Sequence, residues 1–121
     1  MLDTNVLIAI SKRQFDPRSL HAQYSRILVS FVAYTEALGF NFLNPNEESR
    51  MQALLDSVEK IPFGAAEAYY AVSYRKLKKI KFPDAAILAT ARAAGADLLT
   101  QNTADFRGLD AAVRVLTIEE L

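Results

Sequence analysis

The apolar run at residues 27–33 constrains the fold of this chain more than any other stretch of the sequence. Its seven residues, ILVSFVA, are rich in β-branched side chains and almost free of polar ones. A strand with one face in water alternates polar and apolar residues, whereas an unbroken apolar strand is covered on both faces. The run therefore predicts a buried strand in a parallel sheet that has helices on both sides.

The rest of the chain alternates strand-like and helical stretches. Strand-like segments are expected at residues 1–3, 61–63, 96–100 and 113–117. Helices are expected at residues 5–11 with Thr4 as the cap, and at 34–43, 47–60, 64–80 and 83–94. Because strands that alternate with helices form parallel sheets, we predict a three-layer α/β/α sandwich with a mainly parallel central sheet. No linker or repeat interrupts the pattern, so one domain over residues 1–121 is expected.

Composition excludes several classes of protein. With 51% apolar residues the chain is too apolar for intrinsic disorder. With no cysteine it offers no disulfide framework, thiolate zinc site or cysteine nucleophile. Asp3 comes before Lys12 and Arg13, which is the wrong order of charges for a signal peptide, and no apolar stretch reaches the roughly 18 residues of a membrane helix. We expect a soluble cytoplasmic protein with no membrane association.

Four acidic residues fall where a parallel sheet carries its functional groups, beyond the carboxyl ends of the strands. Asp3 ends the first predicted strand, and Glu36 lies on the helix that leaves the second. Asp105 follows the strand at 96–100, and Asp84 begins a helix. Each of the three aspartates is equally well explained as a cap or turn residue. Other acids, Asp97 and Asp110 among them, are interpreted as turn, cap or solvated positions.

Glu36 is harder to explain as a structural residue. On an ideal helix it lies 40° from Phe40 and 20° from Leu43, and therefore shares a face with apolar groups. An ionised carboxylate on such a face is costly unless it is paired or bound to a cation. A functional role is therefore predicted for Glu36.

A cluster of these four acids would polarise a chain whose fourteen acidic and fourteen basic residues balance. The remainder would carry fourteen positive charges against ten negative ones, a net charge of +4. Clustered carboxylates repel one another and must hold protons or share a divalent cation. An all-oxygen ligand set suits Mg²⁺ or Mn²⁺. His21 has no second histidine with which to form a zinc site and is interpreted as an ordinary surface or loop residue.

A basic run lies directly before Asp84. Its cations are Arg75, Lys76, Lys78, Lys79 and Lys81. The run has two interpretations: a solvated helix end that complements the helix dipole, or a surface that attracts the phosphate backbone of RNA. No aromatic residues alternate with the cations, so base stacking is not indicated.

Four stretches of the sequence together resemble the PIN domain. They are LDTNVLI at 2–8, TEALG at 35–39, FPDAAILATARAAGADLLTQN at 82–102 and ADF at 104–106. They occur in the family's order and span the chain from end to end. Within the family, the compact form is similar to the VapC-type ribonuclease toxins of prokaryotic toxin–antitoxin pairs.

The resemblance assigns roles to individual residues. Asp3, Glu36, Asp84 and Asp105 fall on the family's acidic positions, and Asp3 and Asp84 fall on those most directly tied to the metal. The family's supporting polar positions are matched by Thr4, Asn5, Thr100 and Asn102. Gln101 occupies a place that relatives often fill with a basic side chain, and only two residues precede Asp3, so a short central strand is expected.

The implied activity is metal-assisted hydrolysis of RNA phosphodiester bonds by an endoribonuclease. Water is the expected nucleophile, Mg²⁺ the expected cofactor with Mn²⁺ as an alternative, and no covalent intermediate is required. The resemblance also implies a toxin with a cognate antitoxin protein, and a homodimer. The apolar residues Phe40, Phe42, Leu43, Tyr69 and Tyr70 are expected to be mostly core, and any exposed ones would form a dimer face or an antitoxin groove.

Other functions are weighed against this one. A PIN-fold nuclease that processes RNA without being a toxin, and a non-catalytic interaction module with the same fold, fit the same motifs. A phosphate-accepting receiver domain fits poorly, because Asp3 has no acidic neighbour and no lysine follows Lys81. A dinucleotide-binding domain is not indicated, because the four glycines are scattered.

Overall fold

A parallel sheet built from very short strands forms the centre of the molecule. The computed structural model describes residues 1–121. Its helices are α1 (Thr4–Ser11), α2 (Arg18–His21), α3 (Phe31–Leu38), α4 (Pro45–Ser57), α5 (Ala65–Leu77) and α6 (Phe82–Ala94). Its strands are β1 (Leu28–Ser30), β2 (Glu59–Ile61), β3 (Leu98–Leu99) and β4 (Val115–Leu116). Two 3₁₀ turns, Thr103–Asp105 and Ile118–Glu120, follow β3 and β4.

The N-terminal residues join two pairs of strands. β1 pairs in parallel with β2, and β3 pairs in parallel with β4. Leu2 lies between the pairs: it forms a parallel bridge with Leu99, and its amide donates to the carbonyl of Leu28 at 2.9 Å. The short central strand that was expected is therefore present. Because every pairing is parallel, the residues that follow Leu2, β1 and β3 emerge at the same edge of the sheet.

Helix α6 shows how the helices cover this sheet. All seven residues at 85–91 are buried, and four of them are alanines, whose small side chains let the helix lie close to its neighbours. α5 packs along α6, α1 packs against α3 and α4, and α3 also contacts α6. The expected three-layer arrangement with a parallel sheet is confirmed. No helix, α6 included, combines the length and the apolar character needed to span a bilayer.

The apolar run at 27–33 is only partly a strand. β1 ends at Ser30, whose hydroxyl oxygen accepts a hydrogen bond from the amide of Ala33 at 3.0 Å and so caps α3. The single polar residue of the run thus ends the strand, because a serine side chain can satisfy a free amide at a helix start. The predictions of a strand to residue 33 and a helix over 34–43 were wrong, since α3 covers Phe31–Leu38.

Other boundaries also differ from the predicted ones. Asp3, rather than Thr4, caps α1. The predicted strand at 61–63 begins earlier, at Glu59, because the pairing with β1 holds residues 59–61. Helix α4 correspondingly begins at Pro45, where the side chain of Asn44 caps it, and ends before β2.

Several apolar residues expected in the core lie at the surface. Leu43 is 99% exposed, Tyr69 is 70% exposed and Phe40 is also exposed, so the prediction that these three are core was wrong. Phe42 and Tyr70 pack partly buried against the core, as expected. The difference arises because Phe40 and Leu43 lie beyond the end of α3, in the turn that leads to α4.

Candidate functional site

Asp3 is the most enclosed of the four predicted acidic residues, with 4% of its surface exposed. One carboxylate oxygen, Oδ1, accepts from the Thr4 amide at 2.8 Å. The other, Oδ2, accepts from the Thr100 hydroxyl at 2.7 Å and from the Asn5 side-chain amide at 3.2 Å. Burial raises the pKa of Asp3, and these hydrogen bonds only partly oppose the shift. The carboxylate is therefore held in one orientation where the sheet meets α1.

Glu36 lies beside Asp3 but not in the environment that the sequence predicted. The prediction of an apolar face was wrong, because α3 ends at Leu38 and Glu36 is exposed. The Thr4 hydroxyl donates to its Oε1 at 2.7 Å, which links the side chain to the residue next to Asp3. The negative charge of Glu36 contributes to the raised pKa of Asp3. Glu36 therefore belongs to the same cluster, at its solvent side.

Asp84 lies in the first turn of α6, and its pKa is affected by all three of the other acids. Burial raises its pKa to about 6, and the negative charges of Asp3, Asp105 and Glu36 act in the same direction, whereas Lys81 opposes them. Carboxylates on unrelated faces would not perturb one another in this way, because exposed charges are screened over about a Debye length. The structure therefore brings the four predicted acids into one electrostatic neighbourhood.

Asp105 lies at the open end of the site. It is exposed, in the 3₁₀ turn after β3, and its Oδ2 accepts a hydrogen bond from the side chain of Asn102. A cavity of about 240 Å³ separates it from the end of α5. The cavity is lined by Lys78, Lys79, Ile80, Lys81, Asp84, Asn102 and Asp105. The space between the acidic cluster and the basic run is thus a real cleft of the molecule.

The four predicted supporting residues contact the acids or one another. Thr4 contacts Glu36, Asn102 contacts Asp105, and Asn5 and Thr100 both contact Asp3. The Asn5 side-chain amide also donates to the Thr100 hydroxyl oxygen at 3.3 Å, and that oxygen accepts from the Asn102 amide at 3.0 Å. A continuous hydrogen-bond network therefore joins the start of α1 to the loop after β3.

Gln101 takes part in this network, which the sequence did not indicate. Its backbone amide donates to Asn5 Oδ1 at 3.0 Å, and its side-chain oxygen accepts from the Ile118 amide at 2.8 Å. Its side-chain amide lies 3.3 Å from Glu119 Oε1. Gln101 thus joins the site to the C-terminal 3₁₀ turn. No spacing or residue type in the sequence signals this contact.

The five cations of the basic run are all exposed, from the last turn of α5 to the residue before α6. Arg75, Lys76, Lys79 and Lys81 form no ion pair and no side-chain hydrogen bond within the molecule. The Lys78 ammonium differs, since it donates to the backbone carbonyls of Ala104 and Asp105. A strip of largely unpaired positive charge therefore borders the acidic cleft.

The donor set fits a hard divalent cation, although the side chains as they lie form no group of three acidic residues with metal-binding geometry. The carboxylates of Asp3 and Glu36 instead accept hydrogen bonds from hydroxyl groups. The four acids offer only oxygen ligands and the chain has no cysteine, and Mg²⁺ and Mn²⁺ prefer such ligands. A divalent cation would also relieve the repulsion that contributes to the raised pKa of Asp84.

Comparison with known proteins places this geometry in a family. A model of the PIN domain matches residues 1–112. A search of curated proteins gives no significant match. Among solved structures, a toxin–antitoxin complex from Klebsiella pneumoniae contains a chain that is 29% identical, with a TM-score of 0.75 and coverage of 99% of this chain and 98% of that chain.

Two further structures share the fold at lower identity. VapBC2 from Rickettsia felis, bound to a DNA fragment from its promoter, is 22% identical with a TM-score of 0.79, covering 97% of this chain and 96% of that one. VapBC-1 from nontypeable Haemophilus influenzae is 20% identical with a TM-score of 0.77, covering 98% and 97%. The resemblance to VapC-type PIN domains noted in the sequence motifs is thereby confirmed. With the model matched over nearly all of its length, this chain belongs to the PIN domain family.

Proposed function

We propose that the protein is a divalent-metal-dependent endoribonuclease that hydrolyses RNA phosphodiester bonds within a single domain formed by residues 1–121. Mg²⁺ is the proposed cofactor, and Mn²⁺ is expected to replace it. Membership of a family of nucleases supports this assignment. The observation that carries it is the electrostatic cluster of four carboxylates at one sheet edge, in which the pKa of Asp84 is raised to about 6.

The four acids have separate proposed roles. Asp3 and Asp84 are the principal metal ligands. Glu36, at the solvent side, is a third ligand or orients the attacking water, and Asp105 acts through a water molecule or at a second metal ion. When bound, the cation supplies positive charge that stabilises the transition state of phosphodiester hydrolysis and acidifies water.

The polar residues fix the orientation of these acids. Asn5 and Thr100 hold the carboxylate of Asp3, Thr4 holds Glu36, and Asn102 holds Asp105. Such contacts matter because a ligand that is free to rotate binds a metal less tightly, and outer contacts of this kind typically contribute 10- to 100-fold in affinity or activity. Asn5 and Thr100 therefore contribute to function by positioning a ligand.

The basic strip supplies the proposed contact with RNA. Arg75, Lys76, Lys79 and Lys81 are exposed and unpaired, and Lys78 borders the same cavity. Phosphate oxygens would be repelled by the acidic cluster alone, and the cations beside it offset this repulsion. Binding by such a strip releases counterions, so RNA affinity is expected to fall steeply as salt is raised.

The protein is further proposed to be the toxin of a type II toxin–antitoxin pair, acting in the cytoplasm as a homodimer with a cognate antitoxin protein. The similar solved structures are described as toxin–antitoxin or VapBC complexes. Exposed apolar side chains offer surfaces for both contacts: Leu43 is 99%, Leu77 71% and Tyr69 70% exposed. Apolar residues exposed to this degree are common at protein interfaces.

Cleavage of labelled RNA tests the proposed activity. The intact protein is expected to cut RNA with Mg²⁺ and to lose activity with EDTA, and Asp84→Asn is expected to be inactive with Mg²⁺. Asp56→Asn, which removes the same charge from an exposed position of α4, is the matched control and should cut normally. Equal cleavage by Asp84→Asn and the intact protein would overturn the proposed site.

RNA cleavage and growth assays distinguish two other functions from the proposed toxin. A housekeeping RNA-processing nuclease would cut RNA in the same assay but would not arrest growth when it is induced in cells without a partner. A non-catalytic interaction module would show no metal-dependent cleavage by the folded protein. Growth arrest that depends on Asp84 supports the toxin.

A further inference from the structure

Lys78 is bound to the loop that carries Asp105, unlike the other four cations of the basic run. Its Nζ donates to the carbonyl of Ala104 at 3.1 Å and to the carbonyl of Asp105 at 3.2 Å. The contact joins residues that are 27 positions apart in the chain. An ammonium group has three donors, and two of them are used here on one turn.

The backbone of Lys78 is fixed at the other end of this contact. Lys78 is the C-cap of α5, and its amide donates to the carbonyl of Tyr74 at 3.1 Å. Tyr74 is buried, and its hydroxyl donates to Asp110. The lysine side chain therefore reaches across the cleft from a rigid helix end.

The turn that Lys78 contacts is otherwise held by short-range hydrogen bonds, including one from the Asn102 side chain to Asp105 Oδ2 and one from the Arg107 amide to the Thr103 carbonyl at 2.9 Å. Within the turn, the amide of Asp105 donates to the Asn102 carbonyl at 3.3 Å, and the amide of Phe106 donates to the Thr103 carbonyl at 3.1 Å. Phe106 anchors the chain in the core immediately after Asp105, which is itself exposed. A short 3₁₀ turn has poor hydrogen-bond geometry and is easily deformed. Charge-assisted bonds from Lys78 to two successive carbonyls therefore restrict the backbone that carries Asp105.

We propose that Lys78 is a positioning residue, which holds the 3₁₀ turn so that Asp105 faces the acidic cleft. The proposal rests on the proposed function in one respect, the assignment of Asp105 to the metal site. It separates the basic run into two parts, in which Lys78 acts on the protein and Lys79 and Lys81 remain free for RNA. Lys78 would otherwise be one more phosphate contact, and the two roles predict different measurements.

The test compares Lys78→Met with Lys79→Met, a matched loss of charge from the adjacent residue. Mn²⁺ binding is measured by electron paramagnetic resonance, and hydrogen exchange is measured at the amides of residues 103–107. Lys78→Met is expected to weaken Mn²⁺ binding about tenfold and to speed exchange in the turn about tenfold. Lys79→Met should leave both unchanged and weaken binding of RNA measured in EDTA. If Lys78→Met behaves like Lys79→Met, the proposal is overturned.

A second set of variants asks whether Lys78 acts through Asp105. Asp105→Asn alone should weaken Mn²⁺ binding, and the double variant Lys78→Met/Asp105→Asn should be no weaker than Asp105→Asn. Additive losses would overturn the proposal. Lys78→Arg, which keeps donors and charge, should restore at least half of the lost protection of the turn, and failure to do so would also overturn it.

These measurements keep the proposal for Lys78 distinguishable from the proposed nuclease function, because none of them uses RNA cleavage. If Asp105→Asn leaves Mn²⁺ binding unchanged, the metal role of Asp105 fails, and the proposal for Lys78 fails with it. If Asp105→Asn weakens Mn²⁺ binding and Lys78→Met does not, only the proposal for Lys78 fails. If the protein binds Mn²⁺ as expected but cuts no RNA, the proposed nuclease function is overturned and the proposal for Lys78 is unaffected.

Discussion

The acidic residues of this molecule lie in two contrasting environments, one with cationic partners and one with acidic neighbours. Asp110 accepts hydrogen bonds from the Tyr74 hydroxyl and from Arg92, at 2.9 Å for the arginine. Asp97 accepts in the same way from Tyr24 and from Arg114, both at 2.8 Å. In the acidic cluster, by contrast, Asp3 is held only by hydroxyl and amide groups, and the other acids nearby carry the same charge.

The pKa values of the two groups of acids are shifted in opposite directions. Burial acts to raise the pKa of Asp97 and of Asp110, but their arginine and tyrosine partners outweigh it and leave both below their usual value. Burial also raises the pKa of Asp3 and Asp84, and neighbouring carboxylates add to the increase. Paired acids stabilise the fold, whereas clustered carboxylates that repel one another lower its stability, and the proposed divalent cation would offset this repulsion.

Asp3→Asn gives the largest expected effect. Removing the carboxylate that accepts the most hydrogen bonds in the acidic cluster is expected to lower the rate of Mg²⁺-dependent RNA cleavage by about a hundredfold or more. Asp97→Asn makes the same change in a paired acid and should leave the rate per folded molecule within about twofold. Circular dichroism provides the folded fraction for both. Equal losses of activity in the two variants would show that the distinction between paired and unpaired acids has no functional meaning.

Asp110→Asn tests the other side of the comparison. It weakens the partner of Arg92 and Tyr74, and the free energy of unfolding is expected to fall by about 2 kcal/mol. Urea denaturation measures the change, and cleavage by the folded fraction should remain normal. An unchanged unfolding midpoint would mean that the paired acids do not support the fold.

Asp84→Asn is expected to stabilise the metal-free protein at neutral pH. The folded pKa of about 6 exceeds the usual 3.8, so between these values the unfolded chain binds fewer protons and stability falls as pH rises. Allowing for solvent screening of this partly exposed group, the variant should gain about 1 kcal/mol at pH 7.5 in EDTA.

Two controls accompany this measurement. The difference between Asp84→Asn and the natural protein should disappear below about pH 3, where Asp84 is protonated in both the folded and the unfolded state. Saturating Mg²⁺ should raise the stability of the natural protein and have little effect on the variant, since a ligand stabilises only the state that binds it. A variant that is less stable than the natural protein in EDTA at pH 7.5 would mean that Asp84 is a paired, structural acid.

Lys76→Met gives the smallest expected effect and tests the basic strip. The slope of log affinity for single-stranded RNA against log salt is negative, and its magnitude should decrease by about 0.7, the value for one phosphate contact. Filter binding in EDTA at several salt concentrations measures the slope. An unchanged slope would identify Lys76 as part of a solvated helix end only.

The sequence was informative where local chemistry decides the structure. The helix starts near Asp3 and Asp84 were predicted to within one residue from cap and first-turn preferences, although Thr4 was taken as the cap in place of Asp3, and the order of strands and helices predicts the parallel sheet. Placing both residues at one edge therefore required no tertiary information. Glu36 and Asp105 were selected as well from their positions after predicted strands, and the motifs of the PIN domain then matched all four acids to the family's acidic positions.

The features that the sequence did not predict depend on where helices end and on contacts between distant turns. Glu36 was assigned the wrong environment because α3 stops at Leu38, a consequence of the cap at Ser30 shifting the helix toward the N-terminus. The contacts of Lys78 with Asp105 and of Gln101 with Ile118 cross long stretches of chain. Such contacts depend on the tertiary placement of turns, which no local pattern encodes.

The single bridge at Leu2 makes the position of Asp3 and the mechanical integrity of the sheet depend on the same few atoms. Leu2 alone spans the seam between the strand pairs, and the next amide, that of Asp3, donates to the carbonyl of Leu99 at 3.0 Å. A fluctuation that parts the two halves would also pull Asp3 away from Thr100. Efforts to engineer a more stable variant should therefore begin by reinforcing this seam, where a gain in rigidity would also keep Asp3 in contact with Thr100.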